Sequence, residues 1–200
     1  MENSEFPSKK RTMEEVNDSI NCLPEELLSL ILSFLPTKEA VATSLSIKSW
    51  RKHWTFLTTI NLNSNDFKDV TFFHQFVDNL LSGIKLENVK KFVLLCNYND
   101  YEPHNLVVRG WINDVIDISK ELEYLELHSE QPCVLPSHFS ANELKVLKLS
   151  GQVLVEPRSD VNLPSLEALD LKSVRSASAT RILVELISSR TLVKYLLLKF

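Results

Sequence analysis

The sequence predicts an α/β chain in which a small helical unit comes first and a stack of short parallel strands follows. Two observations carry that prediction. The first is the stretch 20–54, INCLPEELLSLILSFLPTKEAVATSLSIKSWRKHW, where a leucine-dense run lies between two prolines. The second is a hexamer of the form apolar-x-x-apolar-x-apolar that returns along the chain from Val89 onward.

The helical unit follows from its prolines. Pro24 suits a first helical turn, where its missing N–H is not needed, and Glu25 and Glu26 sit well at the positive end of the helix dipole. Pro36 forbids continuation and pushes Leu35 out of the helical region. Between them Leu27, Leu28, Leu30, Ile31, Leu32, Phe34 and Leu35 leave only Glu25, Ser29 and Ser33 as a thin polar strip. A helix apolar almost all round needs cover on more than one side. Thr37 is placed to cap a second helix through Ala40 and Val41, and Ser46 or Ser49 to open a third carrying Trp50 and Trp54 one turn apart. A unit this small cannot hide so much apolar surface within itself. Each Leu or Ile left in water forgoes about 1.5–3 kcal/mol. The first helix must therefore be covered from outside the unit, by the rest of the chain or by a second protein.

The same residues resemble the F-box closely. Leu23-Pro24, the Leu27/Ile31/Leu35 series, the second proline and the terminal Trp pair fall where that family has them, and SFLPTKEAVATS looks like the plant-type F-box proteins with leucine-rich repeats. The resemblance implies docking onto a Skp-type adaptor, and through it onto a cullin-RING ubiquitin ligase. It implies an adaptor contact made of Leu23, Pro24, Leu27, Leu28, Ile31, Leu32, Leu35, Pro36, Val41, Trp50 and Trp54. Of these, Leu27, Ile31 and Leu35 would insert, Pro24, Leu28, Leu32 and Pro36 would shape the contact, and the Trp pair would brace the third helix. One departure stands at Ile47-Lys48-Ser49-Trp50, where the family usually has a second basic residue beside the first Trp.

Downstream, Ile60-Asn61-Leu62 alternates like a short strand. Phe67, Val70, Phe73, Phe76, Val77, Leu80 and Leu81 recur at helical spacing, and Gly83 offers a stop. The hexamers begin at Val89, Leu122, Leu144, Leu166 and Leu192, at intervals of 33, 22, 22 and 26 residues. A period in the twenties with this signature is that of leucine-rich repeats. Extra helices are expected at Trp111 to Ser119 and around Ala179 to Ile187, on the convex side of a parallel sheet. The expected organisation is a disordered tail over 1–18, an F-box over 19–60, and an irregular, incomplete repeat solenoid over 61–200.

The outward positions test the register. The second position of successive repeats reads Lys90, Glu123, Lys145, Glu167, and the fifth reads Val93, Glu126, Lys148, Asp170. Strands stacked at about 4.8 Å would bring opposite charges together along both columns. The third position, Lys91, Tyr124, Val146, Ala168 and Lys194, is then the set expected to face a protein substrate. The Asn or Cys expected three residues past the last leucine is present only as Asn97, with Glu130, Gln152 and Val174 in its place later. The ending LVKYLLLKF has no polar capping repeat, so the repeat array is expected to be cut short. In related proteins more repeats and an FBD domain commonly follow.

Composition narrows the function. Hydrophobic content of 44% and charged content of 24% are those of an ordinary globular chain. A net charge of -4 argues against nonspecific binding to nucleic acid or anionic membranes. No apolar run approaches the ~20 residues of a membrane span, and the polar start MENSEFPSKKRTMEEVNDS has no signal-peptide core. Cys22, Cys96 and Cys133 give neither a disulfide framework nor zinc spacing, which fits the nucleus or cytoplasm. Lys9-Lys10-Arg11 is too short a basic run to decide between these two compartments.

Three glycines cannot build a phosphate loop, and no GxSxG or HExxH occurs. No cofactor, metal or catalytic group is expected. Lys48, Arg51, Lys52 and His53 superficially suggest a helix-turn-helix, but that helix must bury Trp50 and Trp54 and carries no base-reading Asn or Gln. The expected role is a non-catalytic, substrate-recruiting subunit in ubiquitin conjugation. Its competitor is a truncated F-box protein that occupies the adaptor and delivers nothing.

Overall fold

Helix α1 (Glu25–Ser33) starts directly behind Pro24, whose carbonyl accepts from the N–H groups of Leu27 and Leu28 at 3.0 and 3.1 Å. Helix α2 (Thr37–Ser46) begins behind Pro36 in the same way, with Ala40 N–H donating to the Pro36 carbonyl. Each proline thus stands at the N-cap, in extended backbone, and sets the start of its helix. The computed structural model describes residues 23–98, 104–155, 160–174, 176–188 and 193–199. The tail over 1–18, Cys22 and Leu192 lie outside the described residues.

The expected third helix is not an α-helix. The chain forms two short 3-10 helices, Lys48–Trp50 and His53–Phe56, separated by Arg51 and Lys52. Ile47 is extended before them and the first strand begins at Thr59, which bounds the segment at both ends. Trp50 is buried and Trp54 only partly so. Nor does Thr37 cap α2 with its side chain.

The strands are β1 (Thr59–Asn63), β2 (Lys91–Cys96), β3 (Tyr124–Val134), β4 (His138–Ser140), β5 (Val146–Leu154), β6 (Asp160–Asn162), β7 (Ala168–Lys172) and β8 (Tyr195–Lys199). Six of them form one sheet in the order β1-β2-β3-β5-β7-β8, and β4 pairs with β6 in a second, two-stranded sheet. Every pairing is parallel. The short strand at Ile60 is therefore the first rung of the main sheet, and it straddles the expected boundary at residue 60.

Register turns the repeats into columns. Ile60, Phe92, Leu125, Leu147, Leu169 and Leu196 line up, and so do Leu62, Leu94, Leu127, Leu149, Leu171 and Leu198. The first five members of each column are at most 2% exposed. These columns share one core with α3 (Val70–Gly83), α4 (His104–Ile118) and α5 (Ser176–Ser188). Asp69 caps α3 by accepting from Phe72 N–H at 3.0 Å. Trp111, Ile112 and Val115 anchor α4, and Ala179 and Ile182 anchor α5. Helix α4 starts earlier than the expected Trp111.

Two expectations about the sheet need correction. Tyr195, not Lys194, pairs with Ala168, so the last strand sits one residue later than its hexamer implied. Leu196, Leu197 and Leu198 are apolar at both parities, so the pattern cannot choose between two registers that put opposite faces inward. Lys194 instead joins the second-position column, where its N–H donates to the Glu167 carbonyl at 2.7 Å.

The charge columns also run in pairs rather than continuously. Lys145 meets Glu123 at 3.0 Å, Lys194 meets Glu167 at 3.0 Å and Lys148 meets Glu126 at 3.9 Å. Lys90 turns instead to Glu121 and Asp170 to Lys172 on its own strand. Exposed lysines reach whichever carboxylate costs least rotamer freedom.

The missing asparagines leave a mark. Asn97 donates its side-chain amide to Asn63 Oδ1 at 3.1 Å, tying the turn after β2 to the end of β1. Later turns lack that tie. The β3–β5 pairing shifts between Ser129 and Cys133, Gly151 turns with φ at 74°, and Ser173 takes a left-handed φ of 55°.

Candidate functional site

Helix α1 has a sealed face and an open one. Leu28 and Leu32 are 3% and 0% exposed and join Ala40, Trp50 and Leu57 in the core. On the other side Leu27, Leu30, Ile31 and Phe34 are 45%, 51%, 40% and 79% exposed. Their spacing of i, i+3, i+4 and i+7 makes one apolar stripe. Nothing within the described chain covers it.

The residues expected at an adaptor contact divide accordingly. Leu27 and Ile31 stand in the open stripe, and Pro24 and Pro36 are exposed at its two ends. Leu23, Leu35, Val41 and Trp54 are partly buried and pack against the core. Leu28, Leu32 and Trp50 are buried, so they brace α1 from beneath and do not themselves form a surface. Leu35 does not continue the Leu27/Ile31 row: Phe34 still has helical backbone and extends the row, whereas Leu35 packs against the core. Leu30 and Phe34 were left out of the expected contact. Helical spacing alone would have found them, since they fill the row that Leu27 and Ile31 begin.

The stripe is held in a fixed relation to the sheet. Thr37 Oγ1 accepts from Asn61 N–H at 2.7 Å, and Lys85 N–H donates to the Thr55 carbonyl at 2.9 Å. The tip of the Trp54 ring abuts the end of α3, where a Cβ on Gly83 would come within 2.3 Å of its Cη2. Gly83 is needed for that approach. Lys85 also lies over the Phe56 ring at 4.2 Å.

The second surface is the face of the sheet turned away from the helices. Its third-position column is Lys91, Tyr124, Val146, Ala168 and Tyr195. Lys91 and Lys148 lie over the Tyr124 ring at 4.6 and 5.3 Å, and the Tyr124 hydroxyl donates to Glu126. Toward β8 the small side chains of Val146 and Ala168 open a groove of about 510 Å³, bordered by Lys148, Asp170, Tyr195 and Leu197.

Burial pushes the Cys96 thiol up to about 12 and the Cys133 thiol up to about 11, the opposite of an activated nucleophile. Among the described residues no three His, Cys, Asp or Glu side chains gather as a metal site requires. No helix among them is long and apolar enough to cross a membrane.

Residues 20–58 match the F-box domain. An FBD-associated F-box protein of Arabidopsis thaliana is 34% identical over 79% of this chain and 39% of its own length. F-box/LRR-repeat protein 13 of the same plant is 32% identical over 77% of this chain and 35% of its own length. An F-box/FBD/LRR-repeat protein, also from that plant, is 32% identical over 80% of this chain and 37% of its own length. This chain thus spans about a third to a half of the curated relatives it matches. No solved structure matches it. The chain thus carries an F-box domain around the open stripe of α1, and along most of its length it is similar to F-box/FBD/LRR-repeat proteins.

Proposed function

We propose that this chain is a substrate-recruiting subunit of a Skp–cullin–F-box ubiquitin ligase. The observation that carries the proposal is the uncovered row Leu27, Leu30, Ile31 and Phe34 on a helix whose other side is already sealed. F-box domains generally bind Skp-type adaptors, and an apolar helix face lying in an adaptor groove is a common recognition mode. Full burial of each side chain contributes about 1.5–3 kcal/mol, from which the cost of association is subtracted.

The bond-making belongs to the ligase's catalytic partners. This chain contributes proximity, raising the local concentration of a target lysine near the transferring enzyme. A fixed angle between α1 and the sheet serves that role, because a swinging carrier would dilute the gain. The open face of the sheet is where a target protein would be held. A nuclear or cytoplasmic setting accords with the buried, free thiols of Cys96 and Cys133.

The deciding experiment measures affinity of the full chain for a Skp-type adaptor, for the wild type and for Leu27→Ala with Ile31→Ala. Together the two truncations weaken binding by about 2–5 kcal/mol or more. Unchanged affinity would overturn the assignment. Ubiquitin transfer to a protein captured by the sheet separates a recruiting subunit from a chain that merely occupies the adaptor.

A further inference from the structure

The open face of the sheet carries an ordered pattern of charge. Lys91 on β2 stands in the third-position column, Lys148 on β5 in the fifth, and Lys172 on β7 and Lys199 on β8 in the seventh. The four lysines therefore step diagonally across the face. Only Glu126 and Asp170 lie among them, paired with Lys148 and Lys172. Along the diagonal itself four cations stand against two carboxylates, a local positive excess on a chain whose net charge is -4.

The lower end of the diagonal is the least settled part. Lys172 and Lys199 are register partners on adjacent strands, a placement in which like charges repel. Asp170 meets Lys172 at 2.8 Å, and no ion pair among the described residues engages Lys199. An incoming anion would relieve that repulsion. Four strand spacings of about 4.8 Å and four residues of about 3.3 Å rise make the diagonal roughly 23 Å long, the reach of about seven extended residues. Beside it, Val146 and Ala168 floor a shallow notch between the rings of Tyr124 and Tyr195.

We propose that this face binds an extended acidic segment of a partner protein, with one aromatic or branched side chain seated on Val146 and Ala168 and carboxylates on the lysine diagonal. The inference rests on the reading that the sheet holds the target, and it specifies that target's chemistry. Nucleic acid is the poorer occupant, because Glu126 and Asp170 interrupt the diagonal: a peptide can set its uncharged residue against them, whereas a phosphate chain carries charge at every step.

The test uses the full chain and a fluorescein-labelled heptapeptide of Asp and Glu with one central Phe. Its Lys/Arg counterpart and a single-stranded oligothymidylate serve as rivals. Polarisation is read at low and high salt. The acidic peptide binds and the basic one does not, and salt weakens the binding. Lys172→Glu with Lys199→Glu weakens it about tenfold. Tyr195→Ala weakens it without changing the salt dependence, and Lys68→Glu, away from the face, leaves it unchanged. Equal binding of both peptides, tighter binding of the oligonucleotide, or indifference to the Lys172/Lys199 reversal overturns the proposal. Adaptor affinity is measured on the same variants. Peptide binding without adaptor binding sinks only the ligase role, and adaptor binding without peptide binding sinks only this inference.

Discussion

The Thr37 hydroxyl accepts a 2.7 Å hydrogen bond from the Asn61 backbone N–H, so the first residue of α2 closes the free edge of β1. An edge strand with open N–H groups is a template for another chain. Here the F-box covers it. Thr37 is buried, so water cannot replace its hydroxyl. Thr37→Val leaves that N–H unpaired and costs about 1–3 kcal/mol. Thr37→Ser keeps most of the stability. The measurement is the urea midpoint at unchanged slope, and equal midpoints for the Val and Ser variants would refute the account.

Gly83 and Trp54 make the second joint between the F-box and the sheet. A methyl group on Gly83 collides with the indole ring at 2.3 Å, and the partly buried ring packs against the core, so it moves aside only at the expense of those contacts. Gly83→Ala is expected to lose about 1–3 kcal/mol, against the gain a helix interior normally draws from alanine. Trp54→Leu makes room for the methyl group. The double variant is therefore more stable than the sum of the single losses, a coupling that a double-mutant cycle reads directly.

The two faces of α1 separate binding from folding. Leu28→Ala with Leu32→Ala opens cavities in the core and costs about 2–5 kcal/mol of stability per site. Leu27→Ala with Ile31→Ala removes surface that the free chain leaves in water, so thermal stability changes little while adaptor affinity falls. Phe34→Ala behaves like the second pair. A variant set in which stability and adaptor affinity fall together at all these positions would contradict the division.

Much of this was legible in the sequence because two kinds of pattern are unambiguous. Prolines fix helix starts, so Pro24 and Pro36 located α1 and α2. A strict two-residue alternation fixes a strand's face, so the sequence alone aligns Leu125, Leu147 and Leu169. Where the pattern is degenerate the reading failed. Three consecutive leucines in β8 hid its register and misplaced Lys194. SWRKHWTF carries two Trp residues at helical spacing, yet it sits between an extended Ile47 and a strand, and it folds as two 3-10 turns. The division of α1 into sealed and open faces was only half legible. The motif marked Leu27 and Ile31, but which leucines face inward is decided by Trp50 and Leu57, residues a turn or more away in the fold.

Burial of the thiols predicts an alkaline limit to stability. Cys96 and Cys133 are held as neutral thiols in the folded chain, up to about 12 and about 11, because burial penalises the thiolate, and neighbouring Cys133 raises Cys96 further. A folded value above the unfolded one means the stabilisation is complete below the unfolded value near 9. It is lost as pH rises toward 11–12. Cys96→Ala with Cys133→Ala removes this part of the pH dependence and adds a pH-independent cavity cost. The wild type and the variant therefore converge above pH 9. At neutral pH, in a Cys22→Ser background, a thiol reagent labels Cys96 and Cys133 only after unfolding, and prompt labelling of that native chain would show that the burial is wrong.

The charge ladder predicts a salt effect of definite sign. Lys145 meets Glu123 at 3.0 Å and has Glu167 on its other side, and both carboxylates raise its ammonium above the ordinary lysine value. Lys145→Glu would set three carboxylates side by side on neighbouring strands, where like charges destabilise. The pair is exposed, so the wild type gains little from it and loses little in salt. The variant, by contrast, is least stable at low ionic strength and recovers as the Debye length shrinks. Lys145→Gln removes the attraction without creating the repulsion, and its stability depends weakly on salt. If the Glu variant showed no more salt dependence than the Gln variant, the strands would not be stacked in the register that brings Glu123, Lys145 and Glu167 together. The aligned leucine columns would fall with it.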